Sequence, residues 1–181
     1  MKVIITVTES ALPIARTIQR EWLDAEVVRM SDKTFLTEHW KELECVVFVG
    51  AMGICVRTIA PLLNDKYTDP AVICVDSTGK YVIPVVSGHI GGANDYSKRI
   101  AAILGGEAII TTQSDNLGLW AIDTLAQKYG WQTEVDHTRM NLFIYQFVEK
   151  KPIALLLDIR DEGTDYLERT KPNHVKVFYH L

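Results

Sequence analysis

The stretch VIPVVSGHIGGAND, residues 82–95, decides how this chain is expected to fold. A strand-like apolar run ends at Ser87 and a helical pattern follows, so the glycines between them lie at a strand-to-helix turn. Asn94 is predicted to cap the helix, which places backbone N–H groups and the positive end of the helix dipole beside His89. Such a turn suits an anion or a developing oxyanion.

Working outward from this stretch, short apolar runs alternate with helical patterns as far as residue 130, which indicates an α/β domain. We expect an open, mainly parallel or mixed sheet with helices on both faces, a Rossmann-like three-layer sandwich. The predicted strands are 3–7, 25–30, 45–49, 71–75, 81–86 and 108–111. The predicted helices are 12–22, a short one within 31–44, 54–63, 94–104 and 119–129.

The composition changes after Gly130. Residues 131–181 contain fifteen charged side chains, whereas residues 45–64 contain only Arg57. A helix over 138–149 and strands over 153–157 and 175–179 are predicted in this part. We therefore expect an N-terminal domain over 1–130 and a partial or linker-like second module over 131–181.

Charge and composition exclude several classes of protein. The chain has 181 residues and a formal net charge of −4. It has no stripe of basic residues of the kind that binds nucleic acid. No apolar run reaches the ~20 residues of a membrane helix, and the first residues turn polar too early for a signal peptide. The three cysteines lie in apolar runs without metal-ligand spacing, so we expect buried, reduced thiols, no protein-bound metal and a cytoplasmic protein.

A second glycine motif, GAMG at residues 50–53, also joins a predicted strand to a predicted helix. Gly50 and Gly53 are at the position where open α/β sheets contact anions or cofactors, although the motif is not a dinucleotide fingerprint. Arg57 follows in an otherwise apolar helix, where a charge requires either a carboxylate partner or a ligand. Lys80, at a predicted turn, is either solvated or in contact with the same ligand.

His89 is the candidate for acid–base chemistry, because an imidazole titrates near neutral pH. The alternative is a loop histidine that is hydrogen-bonded for structure. Asp95 either orients His89 or is a first-turn acid favoured by the helix dipole. Ser87 lacks the context of a nucleophilic serine.

The hairpin formed by residues 71–86 decides whether the two glycine motifs share one site. If strand 71–75 is parallel to strand 45–49, the hairpin sends strand 81–86 to the opposite end of the sheet. One shared cleft requires strand 71–75 to be antiparallel to the main sheet. The sequence leaves both arrangements open.

Residues 47–112 resemble the cobalt-precorrin 5A hydrolase (CbiG) family of anaerobic cobalamin biosynthesis. The resemblance rests on G-x-M-G-I-x-V-R, I-A-P-L-L, D-P-A-V, V-I-P-V-x-S-G-H-x-G-G-A-N and I-T-T. It implies a hydrolase that opens the δ-lactone of cobalt-precorrin 5A and releases acetaldehyde to give cobalt-precorrin 5B. It also implies that residues 1–130 correspond to the family's N-terminal domain and residues 131–181 to part of its middle region. The family's C-terminal domain is expected to have no counterpart in this chain.

With that resemblance, the chemistry assigns roles to the candidate residues. His89 activates water or protonates the leaving oxygen, Asp95 orients it, and backbone N–H groups of Gly91, Gly92 and the helix start stabilise the oxyanion. The expected substrate-binding residues are Gly50, Gly53, Arg57, Lys80, Ser87, Gly88, Gly91, Gly92 and Asn94.

The expected ligand is an anionic corrinoid whose cobalt arrives inside the substrate, so no cofactor is expected. Expected partners are a C-terminal domain or other enzymes of the cobalamin pathway, with no nucleic acid and no membrane; a homo-oligomer stays open. Two alternatives to an enzyme also stay open. One is a non-catalytic corrinoid-binding module, and the other is an α/β domain whose glycines serve only packing.

Overall fold

The structure, a computed structural model, describes residues 1–31 and 34–180. The helix predicted within 31–44 therefore lies partly outside the described residues. The chain divides into two compact units, Met1–Thr111 and Thr112–Leu181. This division lies earlier in the chain than the domain boundary predicted at residue 130.

The first unit is a six-stranded sheet in the order β2-β1-β3-β4-β5-β6. Its strands are β1 (Lys2–Thr6), β2 (Ala25–Arg29), β3 (Cys45–Val49), β4 (Ala71–Val75), β5 (Tyr81–Val86) and β6 (Glu107–Ala108). Its helices are α1 (Leu12–Glu21), α2 (Phe35–His39), α3 (Met52–Ile59) and α4 (Ala93–Leu104). All neighbouring strands are parallel except β4 and β5.

Helices cover both faces of this sheet, which confirms the predicted three-layer α/β sandwich. One core packs α1 and α4 against one face, around residues such as Ile18, Val47 and Ile100. The other core packs α2 and α3 against the opposite face, around Phe48, Leu36 and Ile59. The strands β3 and β4 are buried along their whole length. Burial on both faces explains why their sequences are continuous apolar runs.

The hairpin of β4 and β5 is the exception to the parallel order. Val75 pairs with Val82 and Val72 with Val86, and the register shifts between Val72 and Ile73, opposite Pro84. Proline cannot donate to the ladder, so a change of register beside Pro84 is expected. The last predicted strand is shorter than expected, since β6 covers only Glu107–Ala108.

The second unit contains helices α5 (Gln113–Asn116), α6 (Ile122–Lys128) and α7 (His137–Val148). They are followed by β7 (Ile153–Leu157), α8 (Glu162–Thr170) and β8 (Val175–Tyr179). The parallel strands β7 and β8 form a separate two-stranded sheet. The sequence did not predict α8, although Asp161 and Thr164 form a capping box at its start, which is a recognisable signal.

The part of the chain that the structure describes contains no helix long and apolar enough to cross a membrane.

Candidate functional site

The two glycine motifs lie at opposite edges of the six-stranded sheet. We call Gly50–Gly53 the first glycine loop and Ser87–Gly92 the second glycine loop. The first follows β3, whose last residue Val49 pairs with Val75 at the end of β4. The second follows β5, which runs back along β4 so that Val86 pairs with Val72 near the start of β4. The rise of five strand residues separates the two edges by about 13 Å.

Of the two arrangements that the sequence left open, the structure has the one without a shared cleft. Because β4 is parallel to β3, the hairpin reverses the chain and carries the second glycine loop away from the first. Two of the predicted binding residues, Arg57 and Lys80, belong to the edge of the first loop. His89 and Asp95 belong to the other edge.

The second glycine loop is closed by its own backbone hydrogen bonds. Gly92 N–H donates to His89 O at 3.0 Å, Ala93 N–H to Ser87 O at 3.1 Å and Asn94 N–H to Gly88 O at 3.0 Å. Most of the N–H groups predicted to stabilise an oxyanion are thus used within the loop. Of those residues, Gly91 makes no backbone hydrogen bond through its N–H within the described part of the chain.

The helix that follows this loop is capped by glycine and not by Asn94. Gly92 has φ +80° and is the residue before the first helical residue, Ala93. Since glycine adopts this left-handed conformation without steric cost, it turns the chain into α4 where asparagine was expected to do so. Asn94 lies inside the first turn and is 3% exposed, so its side chain supports the fold and does not reach a ligand in solvent.

Close packing explains two more glycines in the loop. A β-carbon at Gly91 would lie 2.6 Å from Ser87 Cβ and 3.2 Å from Ala71 N. A β-carbon at Gly88 would lie 2.9 Å from Asn94 Oδ1. The separations at Gly91 leave no room for a side chain, whereas a β-carbon at Gly88 would require the Asn94 side chain to move. The packing role that the sequence left open is therefore present, at least for these two residues.

Ser87 anchors the second glycine loop to the segment before β4. It has φ +57°, a left-handed conformation that is uncommon for residues other than glycine. Its hydroxyl donates a hydrogen bond to Asp69 O at 2.9 Å, and the residue is 8% exposed. The predicted substrate contact at Ser87 does not fit this position, because the hydroxyl is engaged inside the protein.

Sequence reasoning missed Asp69, which organises the neighbourhood of Ser87. Its carboxylate accepts hydrogen bonds from Trp40 Nε1 at 3.2 Å and from Asn64 N–H at 2.9 and 3.0 Å. These contacts join three segments of the first unit beside the second glycine loop. An aspartate directly before a proline was the available signal, since this pair favours a turn.

His89 is half-buried in the second glycine loop, close to the start of α4. Asp95, in the first turn of α4, has a side chain that is 85% exposed and lies 3.6 Å from Lys98 Nζ. Asp95 is therefore a solvated first-turn acid paired along its own helix, which is one of the two alternatives from the sequence. His89 remains the candidate for proton transfer at this edge.

The first glycine loop is more open than the second. Gly50 N–H donates to Val75 O at 2.9 Å, and a β-carbon at Gly50 would lie 2.8 Å from Val7 Cγ2. Gly53, by contrast, is exposed within α3, and a β-carbon there would come no closer than 3.5 Å to Arg57 Nη1. The Arg57 guanidinium thus folds back over the start of α3.

Arg57 is exposed to solvent. It faces outward from a helix whose apolar side packs on the sheet, so its charge does not require the carboxylate partner or ligand expected from the sequence. Its position beside the start of α3 still suits an anion, since guanidinium and helix dipole have the same sign of charge there. Lys80 is also exposed, and its Nζ lies 4.9 Å from the ring centre of Tyr81.

The turn before Lys80 is built around the Asp76 carboxylate. It accepts hydrogen bonds from Thr78 N–H and Thr78 Oγ1, at 2.9 and 2.5 Å, and from Tyr81 N–H at 2.7 Å. Burial alone would raise the pKa of Asp76, but these hydrogen bonds outweigh it and lower the pKa below its ordinary value. This geometry is a hairpin turn.

The strand order also places a topological switch point between β1 and β3, which the sequence did not reveal. β2 and β3 lie on either side of β1, so the connections leave β1 and β3 in opposite directions at their carboxyl ends. Ligands of open α/β sheets bind at such switch points. The first glycine loop lies next to the residues after β1 at this point, since a β-carbon at Gly50 would lie 2.8 Å from Val7 Cγ2. Glu9 and Arg29, which follow β1 and end β2, form an ion pair.

The three cysteines belong to the two cores of the first unit. Cys45, Cys55 and Cys74 are free and buried, as predicted. Burial raises the pKa of Cys45 to about 12. The hydrogen bond with Cys74, together with burial, raises the pKa of Cys55 well above its ordinary value. Among the described residues, no group of three or more His, Cys, Asp or Glu side chains is placed to hold a metal ion.

Comparison with known proteins identifies the family. The sequence model described as cobalamin synthesis G N-terminal matches residues 34–115, and the one described as cobalamin biosynthesis central region matches residues 120–181. The chain belongs to the CbiG family. The N-terminal match contains both glycine loops, so the family signature covers residues at both edges of the sheet.

Two curated relatives in this family are named cobalt-precorrin-5A hydrolase. The one from Salmonella typhimurium is 49% identical over 81 residues, which are 45% of this chain and 23% of the relative. The one from Priestia megaterium is 28% identical over 193 residues, which are 97% of this chain and 51% of the relative. This chain therefore spans about half the length of that CbiG relative.

A solved structure shares the fold. It is a cobalamin biosynthesis protein G homolog from Sulfolobus solfataricus, with 22% sequence identity and a TM-score of 0.56. The match covers 98% of this chain and 54% of that one. The CbiG fold thus extends over both units described above.

Proposed function

We propose that this chain provides the part of a cobalt-precorrin-5A hydrolase that binds the corrinoid and opens its δ-lactone, releasing acetaldehyde. The observation that carries the proposal is the family match over residues 34–115, which contain both glycine loops. The relatives named for this activity support the substrate and the reaction. The cobalt belongs to the substrate, and we propose that the reaction uses no protein-bound cofactor and takes place in the cytoplasm.

His89 is the group that we assign to proton transfer. Lactone opening needs a base that activates water, or an acid that protonates the leaving oxygen, and an imidazole can do either. His89 is half-buried in the second glycine loop. We assign the oxyanion contact to Gly91 N–H, since Gly92, Ala93 and Asn94 donate within the loop. Asp95 is not assigned to orient His89, because it faces Lys98.

The first glycine loop lies too far from His89 to take part in the same bond cleavage. We propose that Gly53, Arg57 and Lys80 instead contact peripheral carboxylates of a substrate molecule, because these residues are exposed and two of them are cationic. Two arrangements fit this proposal. In one, a single broad macrocycle reaches both ends of the strands, and in the other a second anion binds near the switch point between β1 and β3.

The experiment combines turnover and binding. Purified chain is incubated with cobalt-precorrin-5A, acetaldehyde is measured by a coupled dehydrogenase, and binding is followed through the corrinoid absorption spectrum. Release of acetaldehyde above the uncatalysed rate supports the hydrolase. Absence of both turnover and binding contradicts the proposal.

A non-catalytic corrinoid-binding module is the second candidate, and it is favoured because the chain spans 51% of the Priestia megaterium relative. Saturable binding without acetaldehyde release would support it over the hydrolase. Arg57→Gln tests the proposed binding contact in both cases, since it removes an exposed charge without disturbing either core. We expect it to weaken binding about tenfold, the scale of one charge-assisted hydrogen bond.

A further inference from the structure

The sheet of β7 and β8 has an apolar outer face that the described chain leaves exposed. Leu156 is 60% exposed and Phe178 is 51% exposed. The two residues are register partners on adjacent strands, so their side chains form one continuous patch. Ala154 and Lys176, the other register partners on this face, are exposed as well.

Such a sheet is incomplete by the ordinary rules of β structure. Parallel strands are almost always covered on both faces, and two strands alone give little independent stability. The alternate residues of β7 and β8, such as Leu157 and Val175, are buried on the inner face. Each strand has a single neighbour within the described residues, so each also presents an open edge.

The lengths of the relatives indicate what completes it. The two family matches are described as the N-terminal and central regions, and the central match continues to the last residue of the chain. The Priestia megaterium relative and the Sulfolobus solfataricus homolog are each nearly twice as long as the segment that matches. The matched regions are described as N-terminal and central, so we expect the additional sequence of a full-length relative to follow the region that contains β8.

We propose that the outer face of β7 and β8, centred on Leu156 and Phe178, docks the polypeptide that forms the remaining, C-terminal part of the full-length relatives. That polypeptide covers the patch with apolar side chains and adds a strand to an open edge. The proposal concerns assembly only, and it is independent of the lactone chemistry assigned to His89.

Hydrogen exchange on a fusion tests this proposal. The fusion joins the whole of this chain to the segment of the Priestia megaterium relative that lies beyond its matched residues. We expect backbone amides of residues 153–157 and 175–179 to exchange at least about tenfold more slowly in the fusion than in the chain alone, because covered strands open less often. Equal exchange in a folded fusion would overturn the proposal.

Matched variants make the test specific. Leu156→Asp and Phe178→Asp place a charge in the proposed interface and should remove the added protection. Leu23→Asp should leave it unchanged, because Leu23 is 88% exposed in the first unit. Loss of protection in all three variants would contradict a local interface.

Two further measurements decide the remaining outcomes. If the fusion does not unfold cooperatively, exchange in the full-length Priestia megaterium protein replaces it, with slow exchange in the strands aligned to β7 and β8 expected. The chain alone is also sized by light scattering. If the chain alone is a dimer whose amides of 153–157 and 175–179 are already protected, a second copy covers the patch. If the same amides are protected in a monomer, another part of the chain covers it. Either result would overturn the proposal.

Discussion

The two glycine loops look alike in sequence and differ in what holds them. Both join a strand to a helix, but the second is closed by its own backbone hydrogen bonds and by contacts that leave no room for a β-carbon at Gly91. The first leaves Gly53 exposed beneath the Arg57 guanidinium. A glycine-rich motif therefore indicates close approach of the backbone, and only its surroundings decide whether the approaching group is protein or ligand.

The largest expected difference between the loops is in catalysis. We expect His89→Ala to lower kcat about 10²- to 10³-fold, the contribution of a positioned acid or base. Unfolding by urea should stay close to that of the unmodified chain. The rate is measured as acetaldehyde release by this chain or by the fusion described above.

His180→Ala is the control for that measurement, because the His180 side chain is 76% exposed and lies in the second unit. A kcat that changes less than about twofold in His89→Ala would assign His89 a purely structural role.

The next largest difference is in packing. Gly91→Ala should lower the free energy of unfolding by about 1–3 kcal/mol, because the new methyl group meets Ser87 and the backbone of Ala71. Gly53→Ala, the matched change in the first loop, should instead raise it by about 0.5–1 kcal/mol, since alanine is the better residue in an exposed helical turn. Urea titration measures both, and equal effects would mean that the two loops do not differ in packing.

A smaller effect is expected at the anchor of the second loop. Ser87→Ala should lower the free energy of unfolding by about 1 kcal/mol, because it removes the hydrogen bond to Asp69 O. The left-handed backbone conformation stays as it is. Ser87→Gly also loses that bond but relieves the backbone conformation, so it should cost less than Ser87→Ala. The reverse order in urea titration would show that the positive φ is not strained.

The smallest effect concerns pH at the edge of the first loop. The pKa of Asp76 is lowered in the folded chain by hydrogen bonds from Thr78 and Tyr81. The carboxylate therefore stabilises the fold above its unfolded pKa of about 4, and this stabilisation is lost as pH falls through the folded value.

Asp76→Asn should accordingly lower the free energy of unfolding by somewhat less than about 1 kcal/mol at pH 7. The loss should become progressively smaller as the pH is lowered. The difference between the two proteins is measured by urea titration at pH 7 and pH 3. A constant difference over this range would show that the charge of Asp76 does not contribute.

Much of this outcome was predictable because the strands of the first unit are apolar runs with clear turns between them. The runs at 45–49 and 71–75 match β3 and β4 residue for residue. The start of α4 was predicted less well. Asparagine is a common cap, and nothing in the local sequence shows that the left-handed residue is Gly92 and that Asn94 points into the protein.

The candidate site was also predicted only in part from the sequence. Residue types at the glycine loops, together with a family resemblance, indicated anion binding and hydrolysis near His89. The exposure of Arg57 could not be read from its apolar neighbours, because an eight-residue helix places some of its residues on the solvent side whatever their sequence context.

What the sequence by itself determined is the alternation of strands and helices and the residues that could carry chemistry, since these follow from local periodicity and side-chain type. What only the tertiary structure decided is which of those residues meet. Pairing β4 parallel to β3, then reversing through a hairpin held by Asp76, places the two glycine loops at opposite edges. The direction of each strand depends on hydrogen bonds between separate segments of the chain. A local sequence pattern does not predict it.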